Sequence, residues 1–336
     1  MHRTIYVFLG IFIIGVIGWG VWSTTAEKTS EPVERIPLRL GLAMQPMAGL
    51  VIVALENGYF DEEGLDVKVL EYPSGKRALR EGLLEGAVDI TSSADVPIVF
   101  AALEKKEFRI LATMFTADNV NRVIARKSSG IDKADDLKGK RIATQRASAV
   151  HYFLHLFLLE QGLSETDVDL SYLKAEALPP ALHSGAIDAF SMREPYISQA
   201  KRLLGNDAVV FSDPGIYMQV EPLLVSEEFL MSEPEAVQRF LRAVVRAESY
   251  VKRHFDEAAA LVANRLQANV GQIREMFGSY RMWVGLDQSL IMLLENEARW
   301  VIGANLCDCK EVPDFTRYID SRPLEAVSPD TVTLVR

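Results

Sequence analysis

The sequence predicts an α/β protein of two similar lobes, and three observations carry that expectation. A phrase is spelled twice: LLEGAVDITSS begins at Leu83 and LHSGAIDAFSM at Leu182, with Gly86 answering Gly185 and Asp89 answering Asp188. Around each copy the same order of strand, loop and helix recurs. Finally, two apolar, β-prone segments, residues 121–127 and 221–229, flank the second copy, as strands crossing between lobes would.

In the first copy, residues 38–44 read as a strand broken by Gln45-Pro46, and 47–57 as a helix stopped at Gly58. Residues 65–72 alternate like a strand, Pro73-Ser74-Gly75 turns, and 76–85 form a helix ending at Gly86. AVDITS is the third strand, after which Ser92-Ser93 offers an N-cap to a helix over 95–105. The second copy runs through a strand at 139–145, a helix from the cap Ser148 to Gln161, and a strand at 168–173. A short helix over 178–184 and the strand AIDAFS then lead to Arg193-Glu194-Pro195. Strands separated by single helices imply right-handed βαβ units and a parallel sheet in each lobe. Shifting the chain by about one hundred residues lays Leu42-Ala43-Met44-Gln45 over Ile142-Ala143-Thr144-Gln145, so both ends of the unit recur in register. The matched aspartates point to a shared structural role such as a backbone hydrogen bond.

After Ser232 the pattern turns helical, with a Ser-x-x-Glu capping box around Pro234 and amphipathic stretches over 256–266, 270–280 and 287–302. The second crossing returns the chain to the first lobe, which these helices are expected to complete. At the N-terminus, Thr4 to Ser23 carries no charge and is long enough, at ~1.5 Å per residue, to span a bilayer core. Arg3 on its short side leaves the N-terminus cytoplasmic and exports the rest. An uncleaved anchor is favoured over a signal peptide, whose apolar run is shorter. The expected organisation is therefore an anchor or signal over 1–24, a linker over 25–36, lobe 1 over 37–122, lobe 2 over 123–221, and lobe 1 completion over 222–336.

The 336 residues supply ample core, and a net charge of −10 leaves no basic excess for nucleic acid. Cys307 and Cys309, the only cysteines, form a ring too small to close without strain, so free or partly oxidised thiols are expected. No HExxH, G-x-S-x-G, P-loop or G-x-G-x-x-G occurs, and neither catalysis, cofactor nor metal is expected. His151 and His155 share a helix face but lack a third ligand nearby in sequence.

Ligands of open α/β sheets bind beyond the carboxyl ends of the strands, where helix N-termini present free N–H groups. That rule selects Gln45, Pro46 and Met47, then Ser74 and Gly75, then Ser92, Ser93 and Asp95 in the first lobe. In the second it selects Gln145, Ala147, Ser148 and His151, then Arg193 and Glu194. Arg193 is read as a cleft-rim residue with few core contacts.

The stretches LENGYFDEEGLDVKV (55–69), LLEGAVDITSSADVP, DDLKGKRIATQRASAVHYFL (135–154) and LHSGAIDAFSMREPY, in that order, resemble the solute-binding proteins of ABC importers for nitrate, sulfonates, taurine and thiamine precursors. The resemblance covers residues 36–300 and departs from the family at Arg193, where a tryptophan usually precedes Glu-Pro. It implies the two-lobed type II periplasmic-binding fold closing over a small solute. It also implies a permease and its ATPase as partners, a periplasmic location and a monomer. The solute expected is anionic or zwitterionic, in the manner of a sulfonate, taurine or nitrate. A thiamine-precursor pyrimidine, a ligand sensor without a transporter, and a pyrimidine synthase are the alternatives.

Overall fold

Two sheets organise the chain in the computed structural model, which describes residues 35–335. The predicted anchor over 4–23 lies outside them. The first sheet takes β1 (Ile36–Ala43), β2 (Leu65–Tyr72), β3 (Ile90–Ser92) and β4 (Arg109–Ala117) from the first stretch of chain. The second consists of β5 (Arg122–Arg126), β6 (Arg141–Thr144), β7 (Asp169–Tyr172), β8 (Ala189–Met192) and β9 (Ala208–Phe211). The chain then returns to the first sheet with β10 (Gln219–Val225), β11 (Arg281–Asp287) and β12 (Val332–Thr333).

The spatial orders are β12-β11-β4-β10-β3-β1-β2 and β7-β6-β8-β5-β9. Read from β2 and from β7, the two sheets follow one plan. Two parallel pairs come first, β2/β1/β3 and β7/β6/β8. An antiparallel strand follows in each, β10 beside β3 and β5 beside β8. The sheets are therefore mixed rather than purely parallel. The reason is the crossing itself: β5 and β10 arrive directly from the other sheet, at the end where the parallel strands finish, and must run back against them.

The repeated phrase has a matching physical basis in both sheets. Asp89 accepts hydrogen bonds from the Arg39 amide (2.7 Å) and from the Arg39 guanidinium. Asp188 accepts from the Arg141 amide (3.1 Å) and from its guanidinium at 3.0 and 2.7 Å. In each lobe the aspartate before the third strand ties down the arginine of the first. Gly86 and Gly185 both take a left-handed backbone, φ +71° and +79°, which stops the preceding helix before that aspartate.

Lobe 1 is closed by the helix Pro234–Arg253, whose buried face repeats at helical spacing through Val237, Phe240, Leu241, Val244 and Val251. Phe240 stacks on Phe60 at 5.0 Å. Lobe 2 has its own small core of Phe190, Met192, Leu178, Leu182 and Ile197.

Several local expectations change. The capping box at 232–235 does not form: Glu233 is the N-cap without a side-chain bond, and Glu235 pairs with Arg239 at 3.0 Å. Ala94, not a serine, caps the helix Asp95–Leu103. Ser148 precedes the helix Ala149–Glu160 but donates its hydroxyl to the Gln145 carbonyl instead of capping. The expected end of the second crossing is a helix, Glu227–Ser232. Cys307 and Cys309 are joined by a disulfide, with Cα atoms 5.2 Å apart, and are not free thiols.

Candidate functional site

The carboxyl ends of β1 and β8 open onto one cavity of about 440 Å³. After β1 the chain supplies Gln45, Pro46 and Met47; after β8 it supplies Arg193 and Glu194. Arg122 at the start of the first crossing joins them, and Gln272, Glu275 and Tyr280 from the C-terminal helical region complete the wall. This size lies within the range of small-molecule sites.

Arg193 dominates the electrostatics. The residue is only 8% exposed, so it is a buried group and not the cleft-rim side chain expected from sequence. Its carbonyl starts the next helix by accepting from the Tyr196 amide (3.1 Å), which fixes the backbone from which the side chain projects. Among the described residues the guanidinium makes no side-chain hydrogen bond and no ion pair. Burial lowers its pKa, with Glu221 and three tyrosines pulling the other way. Glu194 accepts from the Ser198 amide (3.1 Å) and stands 3.9 Å from Arg122 on the neighbouring strand, a loose pair on the same wall of the cavity.

The remaining predicted residues do not line this cavity. Ser74 caps the turn that follows it, accepting from the Arg77 amide at 3.3 Å. Gly75 is wedged behind the wall: a Cβ there would sit 2.8 Å from Ser93 Cα and 2.9 Å from the Ser92 carbonyl oxygen. Both are backbone atoms and cannot step aside. Gly75→Ala should therefore cost about 2 kcal/mol, read as a lower urea midpoint with unchanged slope. An unchanged midpoint would show that the loop absorbs the methyl.

Ser92 shares a 3.1 Å hydrogen bond with Glu221 on β10, and Ser93 donates its amide to Pro222 at 3.2 Å. Asp95 is fully buried and structural: it accepts from the Val220 amide (3.0 Å), the Val96 amide (2.8 Å) and the Tyr217 hydroxyl. It thereby anchors the second crossing, and burial pushes its carboxyl up to about 6. Glu297 lies beside it on the helix Gln288–Gly303, without a hydrogen bond of ordinary geometry because the Tyr217 hydroxyl is committed to Asp95. Burial and the neighbouring Asp95 push it well above the carboxylate range.

Gln145, Ala147 and Ser148 form the loop before the helix Ala149–Glu160, with Ala147 in a left-handed conformation, φ +56°. The carbonyl of Arg146 in that loop accepts from Lys76 Nζ at 2.9 Å, which links lobe 2 to lobe 1. His151 is fully buried, its ring edge-on to Tyr172 and Trp300 at centroid distances of 5.1 and 4.9 Å. Its Nε2 lies 3.5 Å from Glu165, and His155 Nδ1 lies 3.3 Å from the same carboxylate. Burial would raise Glu165, but the two histidines hold it down at about 2. His151 thus belongs to an interlobe aromatic contact.

Arg122, Tyr280, Gln272 and Glu275 on the cavity, and the buried Glu221 against Ser92, are absent from the residues the strand-end rule selects. Arg122 and Glu221 do carry a sequence signal, since each lies at the start of one of the two predicted crossings, 121–127 and 221–229. Nothing in the sequence places the C-terminal residues against the cavity.

Residues 45–258 match the NMT1/THI5-like family. A putative aliphatic sulfonates-binding protein of Bacillus subtilis (strain 168) is 30% identical over 237 residues, covering 68% of this chain and 69% of the relative. Among solved structures, the periplasmic aliphatic sulphonate binding protein SsuA from Escherichia coli superposes with TM-score 0.70 at 20% identity, covering 85% of this chain and 92% of that one. The desulfurization enzyme DSZB also shares the fold, with TM-score 0.63 at 19% identity and coverages of 88% and 99%.

Proposed function

The chain belongs to the NMT1/THI5-like family, and from that premise we propose that it is the extracytoplasmic solute-binding component of an ABC importer. On this reading it captures a small anionic or zwitterionic organic solute between the lobes and delivers it to a permease and its ATPase. Residues 37–122 and 222–336 act as one lobe and 123–221 as the other. The monomer is held at the membrane by residues 4–23.

One observation carries the ligand class. Arg193 lines the cavity with its side chain largely buried and with no side-chain hydrogen bond or ion pair among the described residues, so its guanidinium is left for a ligand in a site of reduced solvent access. A sulfonate or carboxylate would engage it through a planar, charge-assisted contact. Glu194 and Glu275 on the same cavity offer acceptors for an amine, so a zwitterion also fits. The fold is shared with an enzyme, but both cysteines are tied into the Cys307–Cys309 bond and neither lines the cavity. Binding without turnover is the reading this supports.

The test is a thermal-shift panel of alkanesulfonates, taurine, short carboxylates, nitrate and aminopyrimidines on the full chain. A bound solute at ~100 times its dissociation constant should add ~2.7 kcal/mol. Stabilisation only by pyrimidines would redirect the ligand class, and no response from any compound would count against solute capture. A solute consumed during incubation would overturn the non-enzymatic reading.

A further inference from the structure

The two lobes give the cavity unlike walls. Lobe 2 brings two guanidiniums to it: Arg122 on β5 pairs in register with Met192 on β8, which sets it beside Arg193 in the loop that follows. Lobe 1 contributes three methionines. Met44 and Met47 come from the turn after β1, and Met276 comes from the helix Val270–Gly278. Met47 is 2% exposed and the other two are partly buried, whereas Gln272 and Glu275 on the helix of Met276 are exposed. The turn and that helix are wedged together: a Cβ on Gly49, where the turn ends, would sit 2.8 Å from Phe277 Cζ. Tyr280 follows the helix and also lines the cavity, its ring braced edge-on against Phe115 with centroids 4.6 Å apart.

We propose that the solute is an aryl acid, its flat ring held by Met44, Met47, Met276 and Tyr280 while its sulfonate or carboxylate meets Arg193. The inference rests on the reading of Arg193 as the acid-binding group and narrows the solute class. Thioether sulfur makes favourable contacts with aromatic rings, often at the ring edge. A tyrosine ring adds stacked or edge-to-face contact, and a guanidinium stacks on aromatic faces as well as pairing with acids. An alkyl tail gains only the burial of its surface from the same side chains. Val120, Leu266 and Ile273 add apolar lining that serves a ring or an alkyl chain alike, so the methionines and tyrosine favour the ring. Size points the same way. About 440 Å³ suits a ligand with a ring, and a few-atom anion such as nitrate would leave most of it unfilled.

Matched probes separate ring, size and charge in titration calorimetry on the full chain at neutral pH. Benzenesulfonate and benzoate are the aryl acids, and cyclohexanesulfonate and cyclohexanecarboxylate are their saturated partners. Ethanesulfonate and taurine are the small acids, and benzenesulfonamide keeps the ring without the charge. The better aryl acid should bind about tenfold or more tighter than ethanesulfonate, from the added apolar burial. It should also bind about threefold or more tighter than its saturated partner, which has similar bulk and the same charge but no aromatic face. A saturated partner or ethanesulfonate that binds as tightly as the aryl acid overturns the proposal. Taurine as the tightest ligand overturns it too, while leaving the acid-binding reading of Arg193 in place.

Met276→Leu tests the wall itself, since leucine keeps the apolar bulk and removes the sulfur. The variant should weaken the aryl acid by about twofold or more and leave its saturated partner unchanged. A variant that changes both ligands alike, or neither, overturns the assignment of the methionine wall to a ring. Benzenesulfonamide binding as tightly as benzenesulfonate would instead remove the acid-binding reading of Arg193, and this inference with it. No binding by any of the acids removes both.

Discussion

Asp188→Ala should lower the stability of the protein by about 3 kcal/mol at pH 7, within the range for breaking a hydrogen-bonded buried charge pair. The carboxylate is 8% exposed and serves several donors at once: the Arg141 amide and guanidinium, the Ser129 hydroxyl at 3.0 Å, and Arg126 at 3.6 Å. Alanine would leave Arg126 with only the Ser129 hydroxyl at 2.9 Å, its Nε already lacking a partner among the described residues. The Arg141 side chain is half-exposed, so water recovers part of its loss and the penalty stays at the low end of that range.

The pH dependence follows from the same contacts. Hydrogen bonding to Arg141, above all, holds the Asp188 carboxyl well below the usual range. A depressed carboxyl contributes stability that is present above its unfolded pKa of ~3.9 and is lost as pH falls through the folded value. The gap between wild type and Asp188→Ala, measured by urea unfolding, should therefore be full at pH 6–7 and narrow below about pH 4. A gap that stays constant down to pH 3 would mean that the loss comes from packing and not from charge.

This aspartate also shows what sequence can reveal. The match of Asp89 with Asp188 was legible because each performs a local task at a fixed place in a repeated unit, and a repeat exposes such tasks. The order of strand and helix was legible for the same reason. β4 was not: RILATMF is a continuous apolar run, buried along nearly its whole length, and it has no alternation to separate strand from helix. β9 is four residues long and leaves almost no pattern.

At the site, Gln45, Pro46, Met47, Arg193 and Glu194 were found by a topological rule about strand ends, and the cavity gathers all five. The same rule also selected Asp95 and His151. It identifies which loops face the other lobe, but not whether a side chain turns toward solute or toward protein. His151 turns to Trp300 and Asp95 to Tyr217, residues 149 and 122 positions away in sequence. Glu221 fails in the opposite way. An acid at the head of a predicted apolar crossing reads as a solvent-facing residue until the fold buries it against Ser92.

The effect expected of Arg193→Ala is a loss of affinity for an acidic solute of about tenfold to a hundredfold, equivalent to ~1.4–2.7 kcal/mol. The side chain is largely buried and lines the cavity without a side-chain partner among the described residues, so before a solute binds it contributes little bonding. Once an acidic group occupies the cavity, the same guanidinium gains charge-assisted hydrogen bonds in a site that excludes water, and alanine forfeits all of them. Stability should respond differently. Removing the side chain relieves the buried charge but leaves a void and deprives Glu221 of its only nearby cation among the described residues, pushing that carboxyl further toward its neutral form. These opposing terms should leave folding stability within about 1 kcal/mol of wild type. Arg193→Lys separates charge from shape: an ammonium keeps the positive charge but lacks the planar fork, so it should recover only part of the affinity. Calorimetry with an alkanesulfonate on all three proteins, alongside urea unfolding, reads both quantities. If Arg193→Ala binds as tightly as wild type while unfolding at markedly lower urea, the side chain is a structural member of the lobe interface and the acid-binding group lies elsewhere on the cavity, with Arg122 the next to substitute.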